Sequence, residues 1–137
     1  MRNRAAVARR LVEQRTTTGS SPVIAVIAAG ERWPDDSLRF AIEDLWGAGA
    51  IIAALADLGT SQLSLESVSA AAAFREVEAS LGAALMSCGS GQELDSTGFG
   101  IDVEIAAELD SSTSVPMLAD GRFINAGGPY RGGSPRN

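Results

Sequence analysis

Apolar and polar positions alternate along this chain with two different periods. Residues 3–15 place Ala5, Val7, Ala8, Leu11 and Val12 at helical spacing behind Asn3, which predicts a surface helix capped by Asn3 with that stripe turned inward. A polar, Gly-containing stretch from Thr16 to Ser21 reads as a loop. Pro22 to Ala29, PVIAVIAA, is then continuously apolar and β-branched, the pattern of a strand buried on both faces in a parallel or mixed sheet. Gly30-Glu31-Arg32-Trp33-Pro34 ends it, and Asp35, Asp36 and Ser37 offer caps for a helix that runs to about Leu58 and stops at Gly59.

Ser64 to Leu85 keeps a 3.6-residue period through Leu65, Val68, Ala72, Phe74, Val77 and Leu81, which predicts one long helix or two shorter ones. Gly89-Ser90-Gly91 breaks it, a short helix carries Glu93 and Leu94, and Gly98-Phe99-Gly100 breaks the chain again before Asp102 opens a helix through Leu109. Val115 to Leu118 reads as a last strand. From Ala126 the sequence loses apolar periodicity, so residues 1–125 are expected to form one folded unit and 126–137 a flexible tail. The architecture predicted is α/β, helices layered around a parallel or mixed sheet.

Composition changes this picture in two ways. All 11 basic residues are arginine, and there is neither lysine nor histidine, which removes Ser-His-Asp and Cys-His hydrolysis, histidine-bound zinc, Schiff bases and the P-loop lysine. What remains is carboxylates, guanidinium groups, hydroxyls and backbone amides, a set that suits phosphate handled with a hard cation. The charge is also uneven: residues 1–20 hold five arginines against Glu13, leaving six arginines against sixteen acids in the remainder. An acidic body repels a polyphosphate backbone, so nucleic acid is not an expected partner.

No apolar run reaches the ~20 residues a bilayer span needs, so no membrane association is expected either. The single cysteine, Cys88, excludes an internal disulfide, fits a cytoplasmic location, and reads as a small buried hydrophobe.

The sharpest local feature is Ala41 to Ile52, AIEDLWGAGAII. Gly47 and Gly49 each sacrifice about 1 kcal/mol of helix propensity relative to Ala, which implies close approach by a ligand or by another backbone. Glu43 and Asp44 before them are either a functional pair or simple stabilisation of a helix N-terminus. Gly30-Glu31-Arg32 sits where open α/β sheets collect ligands, and is equally readable as an ordinary strand-end turn. Glu93, Asp102, Glu104 and Asp110 lie at helix breaks suited to ligation or to capping.

The segments IAAGERWPDDSLRFAIEDLWGAGAIIAAL and CGSGQELDSTGFGIDVEIAAELDSSTSVPML resemble the C-terminal half of 2-phosphosulfolactate phosphatases, a likeness that covers residues 2–124. It implies a Mg2+-dependent hydrolase that converts 2-phosphosulfolactate, a small anionic phosphorylated substrate, to sulfolactate and phosphate on a route toward coenzyme M or related sulfonates. By position Gly30, Glu43, Asp44, Gly47 and Gly49 match the family's strand-end glycine and Glu-Asp segment, and Glu93 and Asp102 match its later acids. The roles we assign on that basis are catalysis by Glu43, Asp44 and Glu31, substrate contacts from Gly30, Arg32, Gly47 and Gly49, and a metal held by Asp44, Glu43 and Asp102. Members of that family are longer, and an Asp-Arg strand and an Asn-Gly-Ser segment of their N-terminal half have no counterpart here. The chain is therefore expected to be an incomplete portion of a larger α/β phosphatase, inactive alone, that associates with the missing half or with a second copy. The alternatives are a non-catalytic subunit and a small-anion binding domain that completes a partner chain.

Overall fold

The computed structural model describes residues 1–18 and 23–127. Its first helix, α1 (Arg4–Thr18), buries Ala6, Ala8 and Arg10; of the anticipated stripe only Ala8 is buried, while Ala5, Val7, Leu11 and Val12 are half-buried. Its N-terminal amides are met from far along the chain: Ala5 N–H donates to Asp110 Oδ1 at 2.8 Å, and Asn3 Nδ2 turns away from capping to donate to the Ser114 carbonyl. Arg2 pairs with Glu108, and Arg4 with Glu78 and Asp110. Two of the five arginines of the start, Arg2 and Arg4, thus fasten it to the acidic body.

Residues 23–30 do not form the expected strand of a parallel or mixed sheet. They lie outside any helix, turn or ladder, and over residues 23–27 burial alternates with the period of extended chain: Ile24 and Val26 face the helices while Val23, Ala25 and Ile27 are exposed, as are Ala28 and Ala29 after them. A strand covered on both faces needs neighbours on its edges and helices on both sides, and among the described residues only one face is covered. Among the described residues every ladder is a short antiparallel ribbon. Glu31–Arg32 (β1) pairs with Leu38–Arg39 (β2) in the register Glu31 to Arg39, closed by a turn in which Asp36 adopts φ 70°. Asp35 accepts from both the amide and hydroxyl of Ser37 and so belongs to this turn, not to a helix cap.

Helix α2 (Ile42–Asp57) follows with Ala41 at its start and no side-chain cap; Glu43 and Asp44 in its first turn complement the dipole instead. It stops as the sequence predicts. Gly59 at φ 90° donates to Ala56 and Thr60 N–H donates to the Leu55 carbonyl, the paired bonds of a Schellman ending. α2 packs on α1 and, more extensively, on α3 (Leu65–Val77), which is capped by the Ser64 hydroxyl accepting from Ser67 N–H. Of the two readings of 64–85 the structure takes the second, two shorter helices separated by a 3-10 turn at Glu78–Ser80, after which α4 (Leu81–Ser87), α5 (Gly89–Ser96) and α6 (Gly100–Ala107) fold against one another. Phe74 is completely buried among Ala50, Ile52, Ala53, Ala70 and Ala71, with Leu81, Leu85 and Val103 extending the core toward α6.

The last strand is half of a hairpin. β3 (Pro116–Ala119) pairs antiparallel with β4 (Arg122–Asn125) across Asp120-Gly121, both with positive φ as a tight two-residue hairpin turn requires. Ala126 N–H continues onto the Val115 carbonyl, so the start of the expected tail is bonded; residues 128–137 lie outside the described residues. The α/β class holds, as mixed helix with small antiparallel sheets. No helix among the described residues is long and apolar enough to cross a membrane.

Candidate functional site

The N-terminal half of α2, the start of α5 and one face of α6 converge on a cavity of about 430 Å³. α2 contributes Glu43, Asp44 and Gly47, α5 contributes Ser90 and Gly91 just after Cys88, and α6 contributes Asp102. Val26 and Ile27 form part of its apolar wall, and Arg4 reaches it from α1. Four of the residues singled out from sequence, Glu43, Asp44, Gly47 and Asp102, therefore share one space.

Asp44 is fixed by the turn before it. Gly30 adopts φ 71° and donates its N–H to Asp44 Oδ2 at 2.7 Å, so the strand-end glycine acts on the site through this carboxylate. A side chain at Gly30 would be strained by that φ and would press on the Arg39 carbonyl. Glu43 faces Cys88, whose Sγ lies 3.7 Å from Glu43 Oε2 and donates a better-placed bond to the Leu85 carbonyl at 3.1 Å. Cys88 is half-buried in the cavity wall rather than sunk in the core.

Glu31 sits one step outside. It forms an ion pair with Arg39 and accepts from the Ser90 hydroxyl at 3.0 Å, and Arg39 continues to Glu93 at 3.0 Å while stacking over Trp33. Arg32, expected at the substrate, points away: it is largely exposed and pairs with Asp36 at 3.0 Å. The alternation of an antiparallel ribbon explains the exchange, because Arg39 lies directly opposite Glu31 whereas Arg32 lies opposite Leu38. Pairing, not proximity in sequence, selects the arginine.

Gly49 does not line the cavity. A Cβ there would overlap the Ala70 carbonyl, so its role is the close crossing of α2 and α3, the backbone alternative left open by the sequence. Gly47, by contrast, has nothing within 4 Å of where a Cβ would stand and borders the cavity. Gly91 was noticed only as part of a helix break; a side chain there would overlap the Leu85 carbonyl, which is why α5 can begin so close behind α4.

Electrostatically the cavity is acidic, with three carboxylates against Arg4, which is already committed, and the Met1 ammonium, which donates to the Ala106 carbonyl and whose pKa burial lowers. Burial works against the Arg4 charge, but its hydrogen bonds to Asp110 and Glu78 prevail and raise its pKa above the ordinary guanidinium value. An anion entering here needs added positive charge. The carboxylate oxygens are hard donors of the type Mg2+ prefers, yet no group of three or more acidic or cysteine side chains among the described residues is close enough to hold a metal by itself. The arrangement fits a cation held by one or two carboxylates, with substrate oxygens and water completing its shell.

The sequence model of the 2-phosphosulpholactate phosphatase family matches residues 1–121. The chain belongs to that family. No curated protein and no solved structure matches it. The family match spans most of the 137 residues and does not bear out the expectation that the chain is a fragment of the phosphatase. It takes in the whole cavity, from Arg4 on α1 to Asp102 and Ala106 on α6. It ends before Arg122, so β4 lies beyond it.

Proposed function

We propose that this chain hydrolyses 2-phosphosulfolactate to sulfolactate and phosphate in the cavity between α2, α5 and α6. The observation that carries the reading is the convergence of Glu43, Asp44 and Asp102 on one cavity in a member of this phosphatase family. Asp44 and Asp102 are the residues that would hold Mg2+, which when bound supplies positive charge to the phosphoryl oxygens. The Gly30 amide keeps Asp44 oriented for that task by holding its Oδ2.

Glu43 is assigned as the base. It takes the proton of the attacking water as the new P–O bond forms and returns it to the C2 oxygen as the bond from phosphorus to that oxygen breaks, so that sulfolactate leaves with its hydroxyl and the Glu43 carboxylate is regenerated. Gly47 admits the substrate close to the helix backbone. Glu31, Arg39 and Ser90 form the hydrogen-bonded rim that fixes the start of α5 beside the phosphoryl group.

Phosphate release from 2-phosphosulfolactate, measured with and without Mg2+, tests this reading. Turnover is expected only with the metal, and Asp44→Asn is expected to abolish it while the far-UV circular dichroism stays unchanged. Glu43→Gln should lower kcat by about 10²-fold or more with KM nearly kept, the signature of a lost proton acceptor. Native activity in Asp44→Asn removes that carboxylate from the site. A folded chain that binds the substrate without turnover replaces the hydrolase by an anion-binding domain.

A further inference from the structure

A second cavity, of about 340 Å³, is enclosed by the last turn of α1, the extended segment that starts at Val23, the C-terminal part of α2 and the start of α3. Its volume falls within the range of roughly 300–1,000 Å³ typical of small-molecule sites. Val26 is the one lining residue it shares with the cavity that holds Glu43, Asp44 and Asp102, so the two are separate spaces. The buried Ile52 and Leu55 of α2, with Ile24 and Val26 opposite, give it apolar walls. In contrast to the three acids of the first cavity, no carboxylate lines this one, and Arg15 supplies a positive charge.

Arg15 is half-buried and, among the described residues, pairs with no carboxylate, whereas Arg2, Arg4, Arg32, Arg39 and Arg75 each do. The half-buried hydroxyl of Ser67 accepts from Ser64 Oγ at 3.2 Å, and among the described residues no acceptor takes its own proton. Glu66, the acid of the first turn of α3, is exposed and does not line the cavity. One guanidinium and one spare hydroxyl proton beside apolar walls suit a ligand with a single anionic head and a hydrocarbon tail. A carboxylate accepts two parallel bonds from a guanidinium, and each methylene removed from water adds to binding. A phosphate dianion would bring a second charge that no lining group meets. We propose that this cavity binds a monocarboxylate with a short apolar tail, at a site apart from the hydrolysis.

The test reads binding, not turnover, so it stands or falls apart from the hydrolase assignment. Hexanoate titrated calorimetrically into the full chain should bind saturably, with a dissociation constant on the order of 1 mM or below. Hexanamide keeps the tail without the charge and acetate the charge without the tail, and each should bind at least about tenfold more weakly. Arg15→Gln should weaken hexanoate about tenfold and leave hexanamide unaffected, with the far-UV circular dichroism unchanged. Amide chemical shifts on adding hexanoate should move at Ile24, Leu55 and Ser67 rather than at Glu43 and Asp102. No uptake of hexanoate at about 10 mM, an Arg15→Gln chain that binds it as well as the original, or shifts confined to α5 and α6 each overturns the proposal. Hexanamide binding as tightly as hexanoate to the unaltered chain overturns it too, and that comparison decides the head group even if the variant does not fold.

Discussion

A Cβ at Gly47 would meet nothing within 4 Å, whereas one at Gly49, two residues on, would overlap the Ala70 carbonyl of α3. Alanine at the two positions should therefore act in opposite directions. Gly49→Ala should cost about 3 kcal/mol through overpacking, lowering the melting temperature by roughly 10 °C. Gly47→Ala should gain up to about 1 kcal/mol of helix propensity and raise KM as its methyl enters the cavity. Thermal melts with steady-state kinetics check both. The sequence showed that glycine was needed here and left open whether ligand or backbone was the reason, because helix spacing alone does not say which face a neighbour crosses. Glu43, Asp44 and Asp102 were legible as acids flanking helix starts. Arg39 was not, since its place opposite Glu31 depends on a two-residue ribbon too short to leave an alternating pattern.

Among the elements, the helices were the legible part: α2 ends at the predicted glycine and α3 begins at the predicted serine. Removing that cap with Ser64→Ala should cost about 1 kcal/mol, read as a shift of the urea midpoint. The cap also has a pH signature. The backbone amide of Glu66 itself, and then Ser64, hold the Glu66 carboxyl below its ordinary value, as Ser37 does for Asp35 in the β1–β2 turn. A carboxyl lowered in the folded state contributes stability above its unfolded pKa and loses it as pH falls through the folded value. These contributions should be intact at pH 5 and above and fade below about pH 4. Ser64→Ala should diminish the Glu66 share of that loss, seen by comparing midpoints at pH 5 and pH 3. Strands were read less well: PVIAVIAA has the composition of a buried strand, but burial on two faces depends on neighbours that a single segment cannot encode.

For the whole molecule, Arg4 is a charge that ties distant elements together. It pairs with Glu78 at 2.7 Å and Asp110 at 3.1 Å and lies 4.9 Å over the Phe74 ring, so α1, the core and the loop after α6 meet on one side chain. Arg4→Ala should cost about 2 kcal/mol by leaving both acids without it, and Arg4→Lys should recover only part because an ammonium cannot fork to two carboxylates and stack at once. Chemical denaturation of the three proteins checks the order. Net charge told of an acidic body and a basic start, and the structure shows the two closing on each other.

That closure has a temporal side. Ala5 and Asp110 are 105 residues apart, and at roughly 5–20 residues per second a ribosome takes on the order of 5–20 s to deliver the second after the first. Arg4 can meet Glu78 before Asp110 is made, so α1 is fastened in two steps, and its first turn gains an acceptor only after the whole of α6 has been synthesised.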